Sequence, residues 1–113
     1  MTHLDSASFR PVGPADDIDE GVAVPYYLAD RRLRLAVALV HGHLYAFDDL
    51  CTCATERCPL SGGLLTGTTI TCQCHGSRFD VATGVVISGP ATEPLAVYEA
   101  RQLDGMIQIR APR

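Results

Sequence analysis

The chain has 113 residues and a net charge of −4, and its nine basic residues are all arginine. That length suits one domain with one core, and an acidic balance with no dense arginine stripe argues against a nucleic-acid-binding face. Met1-Thr2-His3-Leu4-Asp5 lacks the positive and apolar regions of a secretory signal, and the longest apolar run, Leu33 to Val40, is broken by Arg34 and too short to span a bilayer, so a cytoplasmic protein is expected.

Taken in order, Ser8 to Val12 is predicted as an opening strand, and the acidic stretch Pro14 to Gly21 as a loop. Val22 to Leu28 is rich in β-formers, and Pro25 places it at a sheet edge. Leu33 to His41 and Leu44 to Asp48 read as two strands joined about Gly42. Ile70 to Cys72, Arg78 to Val81 and Val85 to Ser88 are short strands, with Thr83-Gly84 as a turn. Val97 to Leu103 and Met106 to Arg110 form a hairpin about Asp104-Gly105. No window carries a sustained helical period. The expected fold is all-β, a small antiparallel sandwich or barrel. Tyr26, Tyr27, Tyr45 and Phe47 read as core aromatics, and His41-Gly42-His43 as a solvated turn rather than a metal pair.

All five cysteines fall in two stretches, Cys51-Thr52-Cys53-Ala54-Thr55-Glu56-Arg57-Cys58-Pro59-Leu60 and Cys72-Gln73-Cys74-His75-Gly76-Ser77-Arg78-Phe79-Asp80. Thiolates and imidazole gathered on two loops suit a soft or borderline metal, with iron–sulfur clusters and zinc foremost. In a reducing cytoplasm such cysteines serve as ligands or redox groups more often than as a disulfide framework.

These residues resemble the Rieske-type [2Fe–2S] ferredoxins, which carry Cys-x-His on one loop and Cys-x-x-His on the next. The second loop is intact as Cys72-Gln73-Cys74-His75-Gly76, followed by Ser77-Arg78-Phe79-Asp80 and Thr83-Gly84. Gly89-Pro90-Ala91 is similar to the proline loop that covers the cluster. The likeness runs over roughly residues 8 to 110. It implies one Rieske-like domain over 1–113, with a two-loop cluster-binding subdomain over about 49–91.

One position departs from the pattern. With Cys53 as the usual first cysteine, the histidine belongs at residue 55, where this chain has Thr55. Threonine is a poor ligand for iron in a sulfide cluster. Cys53, Cys72 and His75 remain as expected ligands, with Cys51 as the candidate fourth, because residues i and i+2 of an extended segment face one side. Cys53 can keep its usual iron while Cys51 reaches the other, or the loop can slip by two so that Cys51 and Cys53 take the two roles in order. Coordination by Thr55, a water ligand and an empty site are the alternatives. Three thiolates around a core of charge +2 would leave the site singly negative and lower its potential relative to a two-histidine homologue.

The resemblance also implies a disulfide between Cys58 and Cys74, against a reading of two buried thiols. It implies a Ser77 hydroxyl donated to a bridging sulfide, backbone donors around Gly76 and Gly62-Gly63, Phe79 in the core and Pro90 in the covering loop. The function implied is a small electron carrier, not itself an enzyme. It would pass single electrons from a reductase to an oxygenase or other oxidoreductase, without a small-molecule substrate. The alternatives are a structural Cys₃His zinc module that mediates protein interactions and an iron–sulfur redox or gas sensor.

Overall fold

The computed structural model describes residues 9–52 and 58–110. Ten strands follow one another: β1 Phe9–Pro14, β2 Ala23–Leu28, β3 Leu33–Val40, β4 His43–Asp48, β5 Leu64–Thr66, β6 Thr69–Thr71, β7 Arg78–Asp80, β8 Val86–Ser88, β9 Val97–Leu103 and β10 Met106–Arg110. They form a six-stranded sheet in the order β1-β10-β9-β4-β3-β2 and a four-stranded sheet in the order β5-β6-β7-β8. Every pairing between named strands is antiparallel. The all-β architecture is therefore as expected, with the larger sheet curled into a near-barrel.

β2 lies at an edge of the larger sheet, where the missing N–H of Pro25 costs least. The two long hairpins turn on His41-Gly42 and Asp104-Gly105, all four at positive φ, the backbone needed to match a two-residue loop to strand twist. Glu20 stabilises the first of them. Its carboxylate accepts the N–H groups of both His41 and Gly42.

β3 explains how the two sheets share one molecule. Successive side chains of a strand face opposite sides. Leu35 and Val37 face a core with Leu28, Ala46, Ile107 and Ile109, inside the curl of the large sheet. Ala36, Ala38 and Val40 face a second core with Phe47, Leu60, Ile70, Phe79, Val81 and Leu95, between that sheet and the small one. A strand buried on both faces reads as an almost unbroken apolar run.

Two expectations are corrected. β5 was not predicted; Leu64-Leu65-Thr66 is too short to show a period, and it is held by its register on β6 (Leu64↔Thr71, Leu65↔Ile70, Thr66↔Thr69). Tyr27 is not in the core. It is 61% exposed, because Tyr26 takes the side that packs on the core with Val24 and Leu28 and Tyr27 therefore faces the other side of this edge strand.

Candidate metal centre

The small sheet presents two loops at one end. The first begins where β4 ends and returns at Pro59. Its legs pair antiparallel: Leu50 bridges Pro59, and the Cys51 N–H donates to the Cys58 carbonyl at 2.9 Å. Cys53 and Thr55 lie outside the described residues.

Asp49 fixes the base of this loop. Its side chain is fully buried and accepts three hydrogen bonds: from Arg34 Nε at 2.6 Å, the Ser61 N–H at 2.7 Å and Ser61 Oγ at 3.0 Å. Its own N–H donates to the Arg34 carbonyl at 3.0 Å. One residue thus joins β3, the outgoing leg and the returning leg. A buried carboxylate is tolerable only when paired and hydrogen-bonded to this degree.

The second loop, Cys72 to Ser77, is closed by two backbone bonds, Cys72 N–H to the Ser77 carbonyl and Gly76 N–H to the Cys72 carbonyl. The Gly76 N–H is thus used in closing the turn, and the Gly63 N–H donates to the Leu60 carbonyl. Cys72 is buried, whereas Cys74 and His75 are exposed. Cys58 and Cys74 are joined by a disulfide with their Cα atoms 6.4 Å apart, which ties the two loops together.

A third segment covers both loops. Gly89 comes so close to the second loop that a Cβ there would lie 2.5 Å from Ser77 Cα, and its φ is +102°. Beyond exposed Pro90, the Ala91 N–H donates to Ser77 Oγ at 3.1 Å. Thr52 Oγ1 of the first loop donates to the Glu93 carbonyl at 2.6 Å. Ser77 is fully buried, and because its oxygen accepts from Ala91, its own proton is directed to another acceptor. Phe79 is fully buried in the core beneath.

The sulfurs of Cys58, Cys72 and Cys74 all lie within 4.8 Å of one another. Two of the three are spent in the disulfide, so they do not form a zinc set in this state. Of the other described candidates, Cys51 is a buried thiol and His75 is exposed, and neither belongs to that group. A sulfur-rich set with one imidazole, and a buried hydroxyl with a proton to give, suits an iron–sulfur cluster. An open groove of about 460 Å³, lined by Phe9, Tyr45, Val81, Val97 and Tyr98 among others, lies away from the cysteine loops.

Sequence reasoning missed Asp49, Arg34 and Thr52. Asp48-Asp49 looks like any solvated acidic pair, and nothing in the local pattern marks the second as buried.

Comparison with known proteins identifies the arrangement. The Rieske [2Fe-2S] domain family matches residues 8–99. The ferredoxin component of the naphthalene 1,2-dioxygenase/salicylate 5-hydroxylase systems of Ralstonia sp is 37% identical over 86 residues, covering 76% of this chain and 79% of that protein. The anthranilate 1,2-dioxygenase ferredoxin subunit of Burkholderia cepacia is 29% identical over 96% of this chain and 97% of its own length. Among solved structures, the Sphingomonas yanoikuyae B1 ferredoxin superposes with a TM-score of 0.82 at 31% identity, over 91% of this chain and 98% of that one. A structure of the complex of reduced oxygenase and oxidized ferredoxin in carbazole 1,9a-dioxygenase matches with a TM-score of 0.79 at 33% identity, over 90% and 92% of the two chains.

Proposed function

The chain belongs to the Rieske [2Fe-2S] domain family, and from that premise we propose that it is the ferredoxin of a multicomponent oxygenase, carrying single electrons from a reductase to the terminal oxygenase. The observation that carries this is the pair of loops held together by Cys58–Cys74 beside buried Cys72 and exposed His75. The relatives that match over most of their length are ferredoxin components of dioxygenase systems, and they are carriers rather than the catalytic component. The whole chain acts as one domain, with about 49–91 as its cluster-binding part.

The Rieske domain binds a [2Fe–2S] cluster, which when bound supplies a reversible one-electron couple. Cys51, Cys53, Cys72 and His75 would hold it. The protein's part is positional. The disulfide and the Asp49 clamp keep the two loops at a fixed separation, so little reorganisation accompanies a change of charge. The Gly89–Glu93 segment keeps water from the inner side, and the Ser77 hydroxyl is a donor aimed into the site. His75 stands exposed and brings an edge of the donor set to the surface where a partner protein docks. No helix among the described residues is long and apolar enough to cross a membrane. The reading places the protein in the cytoplasm, whose reducing poise keeps thiolates available for metal. Neither a zinc module nor a sensor is favoured by the family or by its relatives.

Anaerobic purification followed by EPR of the reduced protein tests this. The expected result is a red-brown protein that gives a two-iron signal on one-electron reduction, recovers it over repeated cycles, and supports turnover of an oxygenase when mixed with a reductase. A colourless preparation that holds zinc would overturn it.

A further inference from the structure

Three sulfurs meet where the two loops are tied. Cys58 and Cys74 form the bridge, Cys72 stands outside it, and the three Sγ atoms lie within 4.8 Å of one another. Building on the carrier reading, in which Cys72 is taken up by the cluster, we infer that in the unloaded protein Cys72 exchanges into this bridge and releases Cys74 as a surface thiol. The loops thus carry a redox-sensitive gate on cluster loading, and a thiol open to modification only before loading.

The step needs no outside oxidant or reductant. The Cys72 sulfur, as thiolate, attacks Cys58 Sγ. A Cys58–Cys72 bond forms, the Cys58–Cys74 bond breaks, and its electron pair leaves on Cys74. The proton given up by Cys72 goes to water and Cys74 regains one from water, so one disulfide and one thiol stand on each side. Because the attack is intramolecular, the fixed nearness of the three sulfurs replaces a collision.

Exposure sets the direction. Cys72 is 1% exposed, Cys58 is half-buried and Cys74 is exposed. Attack at Cys58 sends the leaving charge to the sulfur that water reaches, whereas attack at Cys74 would place it on Cys58, where desolvation disfavours it. The product is also accommodated. Cys58 packs against the buried group to which Cys72 belongs, so the new, neutral bridge sits on apolar neighbours while the thiol moves outward. The loops stay tied, since Cys58 is bonded to the second loop in either isomer. A Cys72 held in the bridge is withheld from metal, so a thiol reductant must open the bridge before the cluster enters. The released Cys74 is accessible to small disulfides, RSSR, which cap it as a mixed disulfide and release RSH.

Disulfide mapping of the full-length protein before and after anaerobic, reductant-free chelation of its iron tests the exchange. Each sample is denatured in acid with N-ethylmaleimide, which freezes the bridges and labels the thiols, and its peptides are read by mass spectrometry. Iron-loaded protein should yield Cys58–Cys74 with the label on Cys72. Chelated protein should yield Cys58–Cys72 with the label on Cys74. C72S, treated alike, should keep Cys58–Cys74 and carry no label at Cys74; the wild-type label decides the matter alone should C72S fail to fold. Chelated wild type that keeps Cys58–Cys74 with the label on Cys72, or that forms Cys72–Cys74 with the label on Cys58, would overturn the exchange while leaving the carrier reading intact. Protein that holds no iron when purified anaerobically would overturn the carrier reading, and the position of its label would still decide the exchange.

Discussion

Asp49 and Ser61 are bonded twice, carboxylate to N–H and carboxylate to hydroxyl, across the two legs of a loop. Because Arg34 completes the set from β3, this contact joins the metal-binding end to the barrel-like sheet. R34A should destabilise the protein by about 3 kcal/mol, the loss typical of leaving a buried charge without its partner, since the Asp49 carboxylate is fully buried while Arg34 is 41% exposed. Adding D49N should recover part of that loss, because the amide still accepts from Ser61 but carries no buried charge. Urea denaturation should show these as changes of midpoint with an unchanged slope. A double variant no more stable than R34A would refute the account.

The Cys58–Cys74 bond closes a loop with a sequence separation of 16. In the chain-entropy account a loop of that size contributes about 3 kcal/mol by restricting the unfolded state. The C58S/C74S double variant should therefore unfold at a lower denaturant concentration by that amount, and added reductant should lower wild type but not the variant. Insensitivity of wild type to reductant would count against it.

The predictions differ in how far the sequence foretold them. The Cys58–Cys74 pairing was legible only through the resemblance to the Rieske-type ferredoxins, which the intact Cys72–His75 loop carries. The hairpins were legible because His41-Gly42 and Asp104-Gly105 supply the positive φ that a tight turn needs. Asp49 was not, because its role depends on burial, which arises only after β3, Leu60 and Ser61 assemble round it. β5 escaped notice because three residues carry no period.

Ser77 accepts from the Ala91 N–H, which leaves its proton for another acceptor, and in the proposed reading that acceptor is the cluster. S77A should lower the reduction potential on the order of 60 mV, the one-electron equivalent of about 1.4 kcal/mol. Protein-film voltammetry reads it directly. G89A, which forces a Cβ towards Ser77 Cα, should shift the potential as well as the stability, since it moves the same donor. An unchanged potential in S77A would show that the hydroxyl points elsewhere.

Glu20 offers a test by pH. Its carboxyl is held below the usual carboxylate range, first by the N–H of His41 and then, against desolvation, by that of Gly42 and by the His41 charge. A lowered pKa means that the ionised form supports the fold: the contribution is present above the unfolded pKa and is lost as pH falls through the folded one. The amides of His41 and Gly42 should therefore lose hydrogen-exchange protection only at pH values below ordinary glutamate titration, and E20Q should abolish that transition. NMR of the two amides would decide the point, and a midpoint at or above the ordinary value would contradict it.

The double-sided burial of β3 has a mechanical corollary. No melting event can strip away the iron-bearing cap and spare the barrel, because Ala36 and Val37 belong to opposite interiors while sharing one peptide link. Chelating the metal should thus depress the whole molecule's single thermal transition rather than split it in two, and the slowest-exchanging amides everywhere should be those along this strand.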